Sequence, residues 1–323
     1  MRGPGRYRLI MATRVALALG SGGARGYAHI GAVQALEERD CELVAIAGTS
    51  MGALVGGLTA AGRLEDFASW AVALRRSDVL RMLDPKLSAP GMLAADRLLD
   101  SMHDVFADQL IEDLPVPFTA VATDLAARRE VWFQSGPLRA AVRASIAIPG
   151  VFTPVMLNGR VLVDGGLTNP VPVDPTVSVA SDLTVAVNLN GPRRRETASP
   201  TPQSAAPERF EEWRGRLRRT LAGLTGREEK DLGEAEAELA REPARTSWGT
   251  EVLPAQLRLL DVTAQSFEAM QGVLTRYRMA AMPADVVVTV PVDACRSLDF
   301  HRAGELIELG HRLTDEALTA AGW

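Results

Sequence analysis

The chain alternates short runs that are almost wholly apolar with longer stretches whose apolar residues recur every three or four positions. Arg14–Leu19, Leu43–Ala47, Pro117–Thr123, Leu183–Leu189 and Val286–Val290 are runs of the first kind. Apolar residues at consecutive positions over that length read as strands covered on both faces. Tyr27–Arg39, Leu64–Arg76, Ala94–Phe106, Leu138–Ile146, Gln256–Met282 and Ala303–Ala320 carry helical spacing; in the second, Leu64, Phe67, Ala68, Ala71 and Leu74 form the stripe. Glu130–Phe133 reads as a further short strand, and Val155–Val163 as a hairpin turned by Asn158-Gly159. Strands alternating with helices along the whole chain predict a three-layer α/β/α fold with a largely parallel central sheet.

The pattern lapses in three places. Residues 1–13 are basic, contain Gly and Pro, and read as a loose arm, so the domain is expected over 14–323. Ser77–Leu93 contains Asp84-Pro85 and Ala89-Pro90-Gly91 and reads as a break in regular structure. A linker and charged helical insert is expected at about 191–250. Gly191–Glu208 is rich in Pro, Ser, Ala and Arg; Phe210, Trp213, Leu217, Leu221 and Leu224 then recur at helical spacing among arginines. Such a helix can lie on an anionic membrane surface or pack its stripe on the domain.

Between the second apolar run and a helix of small residues stands Gly48-Thr49-Ser50-Met51-Gly52. A Gly-x-Ser-x-Gly pentapeptide in a strand–turn–helix context is a nucleophile elbow. Gly48 and Gly52 let strand and helix approach, and Ser50 is lifted clear of the sheet. A serine nucleophile for acyl transfer needs a base and donors for the oxyanion. The stretch Gly20-Ser21-Gly22-Gly23-Ala24-Arg25-Gly26 supplies candidate donors where the first strand becomes the first helix: the backbone N–H groups of Gly22, Gly23, Ala24 and Arg25. A phosphate would suit such a loop too. A P-loop, however, ends in Gly-Lys-Ser/Thr, and this loop ends in Ala24-Arg25-Gly26. A dinucleotide fold needs an acid at the end of the second strand, where the Ser50 turn stands.

Composition narrows the chemistry further. With 323 residues and 47% hydrophobic content the chain can bury a full core. A net charge of −5 offers no basic stripe for nucleic acid. Cys41 and Cys295 lack metal-ligand spacing, and His29, His103, His301 and His311 form no metal-binding pattern, so no metal and no cofactor is expected. Arg14 interrupts the apolar run near the start, and no run of about 18 apolar residues occurs, so no transmembrane helix and a cytoplasmic protein are expected.

Gly22-Gly23-Ala24-Arg25-Gly26-Tyr27-Ala28-His29-Ile30-Gly31 and Gly48-Thr49-Ser50-Met51-Gly52, read together, resemble the patatin-like phospholipase family, its small bacterial members above all. Similar stretches are Val121-Ala122-Thr123-Asp124, Ala144–Phe152, Asp164-Gly165-Gly166 and Ala284–Val288. The family often has glycine where this chain has Ser21, which still supplies a backbone N–H. The resemblance implies a patatin-like fold and a Ser50–Asp164 dyad in which Asp164 takes the serine proton directly. It implies hydrolysis of acyl esters of phospholipids or lysophospholipids, with peripheral contact at the membrane. On that reading Ser77–Leu93 is either a flap over the acyl chain or a surface loop, and Arg25 either holds its loop or faces an anionic head group. Three rivals stay open: a triad with His301, an acyltransferase working through the same acyl-enzyme, and a non-catalytic regulator on this fold.

Overall fold

The computed structural model describes residues 12–82, 99–106, 109–193 and 259–323. All but Leu259 belong to one compact unit, Met1–Arg194 joined by Leu260–Trp323. Among the described residues the strands are β1 (Thr13–Leu19), β2 (Cys41–Thr49), β3 (Phe118–Asp124), β4 (Arg129–Phe133), β5 (Val155–Leu157), β6 (Arg160–Asp164), β7 (Leu183–Gly191) and β8 (Val286–Pro291). The helices are α1 (Ala28–Glu37), α2 (Met51–Ala60), α3 (Leu64–Ala73), α4 (Arg76–Met82), α5 (His103–Phe106), α6 (Leu138–Ser145), α7 (Leu259–Ala281) and α8 (Ala303–Ala320).

One mixed, mostly parallel sheet with helices on its faces makes up the domain. β3, β2, β1, β7 and β8 run parallel in that order. β4, β5 and β6 add an antiparallel end beyond them. That end comes from hairpins: β3 turns into β4, and β5 into β6 through Asn158 and Gly159, both at positive φ as a tight two-residue turn requires.

The faces of the sheet differ in side-chain size. Val15, Leu17 and Leu19 of β1, with Leu183, Val185 and Val187 of β7, join the large core beneath helices such as α1, α2 and α8. The alternate positions, Ala18 and Ala186, are small and meet Val171, Val173 and Met279 in a second cluster. Small residues on that face let the 165–176 segment and α7 come close to the strands. Glu38 and α8 are tied by His311, and Arg39 binds Asp315 and Thr319 near the end of α8.

One expectation changes. Ser77–Met82, expected within a break in regular structure, belongs instead to α4 (Arg76–Met82), with Asp78 accepting from the Arg75 amide ahead of it. Residues 83–93 of that stretch lie outside the described residues, as do 194–250 of the expected insert. The sheet is largely parallel, as expected, and its antiparallel end comes from the β3–β4 and β5–β6 hairpins.

Candidate active site

Ser50 alone separates β2 from α2, at φ 57 and ψ −123. A residue with a side chain rarely adopts positive φ, and holding it there costs on the order of 1–3 kcal/mol that the surroundings must over-determine. The surroundings do so. A Cβ on Gly48 would run into the Gly52 carbonyl, and a Cβ on Gly52 into the carbonyl of Leu19. The Ser50 amide donates to Ser145 Oγ at 2.9 Å, and that hydroxyl donates to the Val121 carbonyl at 2.6 Å. Ser50 itself is 3% exposed.

Asp164 ends β6, and the sheet register brings it to the elbow. β4 occupies one edge of β3 from Ala120 to Asp124. β2 and β6 share the other edge: β2 runs parallel along it until Thr49 stands opposite Val121, and β6 comes from the far end until Asp164 stands opposite Ala122. The two strands therefore meet tip to tip, and their next residues converge. Asp164 is 1% exposed; its amide donates to Ala147 O at 2.9 Å, and its Oδ1 accepts from the Gly166 amide at 2.7 Å. Among the described residues, its Oδ2 accepts no hydrogen bond of normal geometry. The Ser50 hydroxyl lies beside the carboxylate, near enough to favour its ionised form. Burial nevertheless wins, pushing the carboxyl up to about 7, against the Ser50 hydroxyl and the Gly166 amide.

The glycine stretch passes beside the elbow, where Gly26 abuts Met51. Its amides divide into two groups. Those of Gly20, Ser21 and Ala24 donate to Val187 O, Pro170 O and Ser297 O at 3.0, 2.8 and 2.9 Å. Among the described residues, those of Gly22 and Gly23 have no backbone acceptor outside regular helix and strand pairing. Ala24, expected as an oxyanion donor, is thus already committed to Ser297. The Arg25 side chain does not face a head group. It is 2% exposed and donates to Glu268 Oε1 at 2.9 Å and to Val292 O at 3.1 Å, binding the loop to α7 and to the segment after β8. His29 Nε2 donates to Gly20 O at 2.8 Å, and complete burial lowers its pKa to about 4, so the ring is neutral.

α7 closes the far side of Asp164. A Cβ on Gly166 would meet Gln271 Nε2, with Ser21 Oγ and Asp164 Oδ1 at 2.8 and 3.0 Å from the same point. Gln271 Oε1 accepts from Asn190 Nδ2 at 3.3 Å. About two helical turns along, Arg278 donates to Glu130 and Asp174, both at 2.9 Å. Asn169 Nδ2 donates to the same two carboxylates, and the Asn169 backbone carbonyl accepts from Thr49 Oγ1 at 2.8 Å. α7, β4 and the segment after Asp164 are thereby latched to the residue just before Ser50. None of this was readable beforehand, since Arg278 lies 148 and 104 positions from its partners. Only Ser145 carried a signal, as the serine of Ala144–Phe152.

His301, the rival third member, interacts with Glu305 at the start of α8, and no hydrogen bond joins it to Ser50 or Asp164. Among the described residues, no group of three His, Cys, Asp or Glu side chains is placed to hold a metal ion. None of the described helices is long and apolar enough to cross a membrane.

Fold and elbow define the class: an α/β domain whose serine stands at a strand–helix turn beside a buried aspartate from an antiparallel strand. The family model described as patatin-like phospholipase matches residues 17–177. An uncharacterised NTE family protein of Mycobacterium tuberculosis is 45% identical over 344 residues, spanning 98% of this chain and 94% of that protein. The chain belongs to the patatin-like phospholipase family. Patatin-like phospholipase domain-containing protein 6 of Homo sapiens is 35% identical over 190 residues, which are 56% of this chain and 14% of that protein. Among solved structures, VipD from Legionella pneumophila aligns with a TM-score of 0.42 at 12% identity, over 96% of this chain and 67% of that one.

Proposed function

We propose that this protein hydrolyses acyl esters of phospholipids or lysophospholipids, with Ser50 as nucleophile and Asp164 as its base. Ser50 Oγ attacks the ester carbonyl carbon while its proton passes to Asp164. The glycerol oxygen leaves as the C–O bond breaks, takes that proton, and the acyl group stays on Ser50. Water then attacks the acyl-enzyme, its proton goes to Asp164 and returns to Ser50, and the fatty acid departs. Gly22 and Gly23 amides, next to the elbow, hold the oxyanion.

The observation that carries this reading is the tip-to-tip meeting of β2 and β6 on one edge of β3, which brings a buried carboxyl to Ser50. A solvated aspartate is a weak base for an alcohol. Burial that raises Asp164 to about 7 removes the mismatch, because a base works best when its pKa lies near the working pH. Lipid as substrate class rests on the family and on relatives whose names carry phospholipase.

The test is hydrolysis of lysophosphatidylcholine and of p-nitrophenyl butyrate by wild type, Ser50→Ala, Asp164→Asn and His301→Ala. The reading expects both esters to be cleaved, the first two variants to lose activity by roughly 10³-fold or more, and His301→Ala to match wild type. A His301→Ala variant as inactive as Ser50→Ala would replace the dyad with a triad.

A further inference from the structure

The end of α6 touches both members of the proposed pair. Ser145 Oγ accepts from the Ser50 amide at 2.9 Å and donates to Val121 O at 2.6 Å. Two residues on, the Ala147 carbonyl accepts from the Asp164 amide at 2.9 Å. Val121 and Ala122 are the β3 residues at which β2 and β6 end, so this segment sits on the junction of the two strands. Ser145 is wholly buried, at 0% exposure, and both bonds of its hydroxyl go to backbone of that junction.

Chain geometry alone does not account for the position of Ser50. Pairing between β2 and β3 stops at Thr49, and the positive φ at Ser50 swings its amide out of line with the ladder. The hydroxyl of Ser145 bridges the gap between that amide and the carbonyl of Val121, the last β3 residue that β2 pairs. An unpaired buried amide and an unpaired buried carbonyl would otherwise face each other across a strained turn, and each is costly.

We propose that Ser145 is a positioning residue for the reaction. Its hydroxyl fixes the Ser50 turn on β3, while Ala147 fixes Asp164 from the same segment, so the end of α6 sets the spacing of nucleophile and base. The proposal rests on the assignment of Ser50 and Asp164 given above. A serine that merely stabilised the fold would lower the melting temperature and leave turnover below it unchanged. A positioning serine lowers kcat and leaves KM alone, since the substrate contacts stay in place.

The experiment compares wild type, Ser145→Ala, Ser145→Cys and Ser50→Ala below each variant's melting transition. It reads kcat and KM on p-nitrophenyl butyrate and the rate of covalent labelling by an alkyl fluorophosphonate. In that labelling the Ser50 oxygen bonds to phosphorus, fluoride leaves with the P–F bond, and the serine proton goes to Asp164. Ser145→Ala is expected to lose roughly 10- to 100-fold in kcat and in labelling rate, with KM held. The isosteric Ser145→Cys, whose thiol bonds weakly, is expected to fall between, and it carries the test should the alanine variant not fold. The pH midpoint of activity stays where wild type has it, because the Gly166 contact of Asp164 is untouched. Ser145 variants within about twofold of wild type in kcat, beside an inactive Ser50→Ala, overturn the role of Ser145 alone. A Ser50→Ala variant that still turns over and labels overturns the pair and this proposal together.

Discussion

Asp164 stands opposite Ala122 on β3, one register step from Val121, which faces Thr49 just before the elbow. A strand that leaves the sheet in one direction and one that enters from the other thus deliver Ser50 and Asp164 to the same spot, although 114 positions separate them in the sequence. Three of the groups that hold them there are backbone or buried hydroxyl: Ser145 Oγ, Ala147 O and the Gly166 amide.

Activity should follow the ionisation of Asp164. In its proposed role as base it must be deprotonated, and burial raises its pKa to about 7. kcat/KM on a p-nitrophenyl ester is expected to climb tenfold per pH unit below that value and level off above it. A profile already flat from pH 5 upward would remove Asp164 from the role of base.

Asp164→Asn should be inactive and more stable than wild type. A carboxyl whose pKa rises from 3.8 unfolded to about 7 folded binds its proton more tightly in the fold. Its stabilising protonation is fully present below pH 3.8 and is lost as pH rises through about 7. Above pH 7 the buried charge therefore costs the wild type an upper bound of about 4 kcal/mol that asparagine does not incur. Urea unfolding at pH 8 should show the variant ahead, and at pH 4 the gap should have closed.

His29 works in the opposite sense over an overlapping window. Buried and neutral, with its pKa lowered from 6.5 to about 4, it costs stability as pH falls from 6.5 toward 4. Wild type is expected to show little pH dependence from these two groups together, because one gains a proton's worth of stability where the other loses it. His29→Gln should unmask the Asp164 gain on acidification, and Asp164→Asn the His29 loss, each with a slope of about one proton in unfolding curves.

Arg25→Met should destabilise by about 2–4 kcal/mol and loosen the glycine stretch. The guanidinium reaches Glu268 and the carbonyl of Val292 at once, and Glu268 also accepts from Ser297 Oγ at 2.7 Å. Lysine has one ammonium in place of the fork and should recover little of the loss. Chemical denaturation of the three proteins side by side reads the effect.

The local features were legible in the sequence. α8 spans the residues its periodicity assigned, Asn158-Gly159 turns the hairpin, and Gly48 and Gly52 flank a strained Ser50 as the pentapeptide requires. These depend on spacing and turn chemistry within a dozen residues. What escaped depends on long-range partners. Of the two readings of Arg25 the loop-holding one stands, decided by Glu268 on a helix 243 positions away, while Ala24 loses its amide to Ser297. α4 covers Ser77–Met82, whose own sequence holds no proline or glycine to break a helix. The meeting of β2 and β6 is likewise a property of the sheet register, which no motif encodes.

The most direct measurement is mass mapping of the protein after reaction with an alkyl fluorophosphonate. The account predicts a single stoichiometric adduct on the peptide containing Ser50, absent in Ser50→Ala and slowed by roughly 10²-fold or more in Asp164→Asn. An adduct on another residue, or labelling of Asp164→Asn at the wild-type rate, would contradict it.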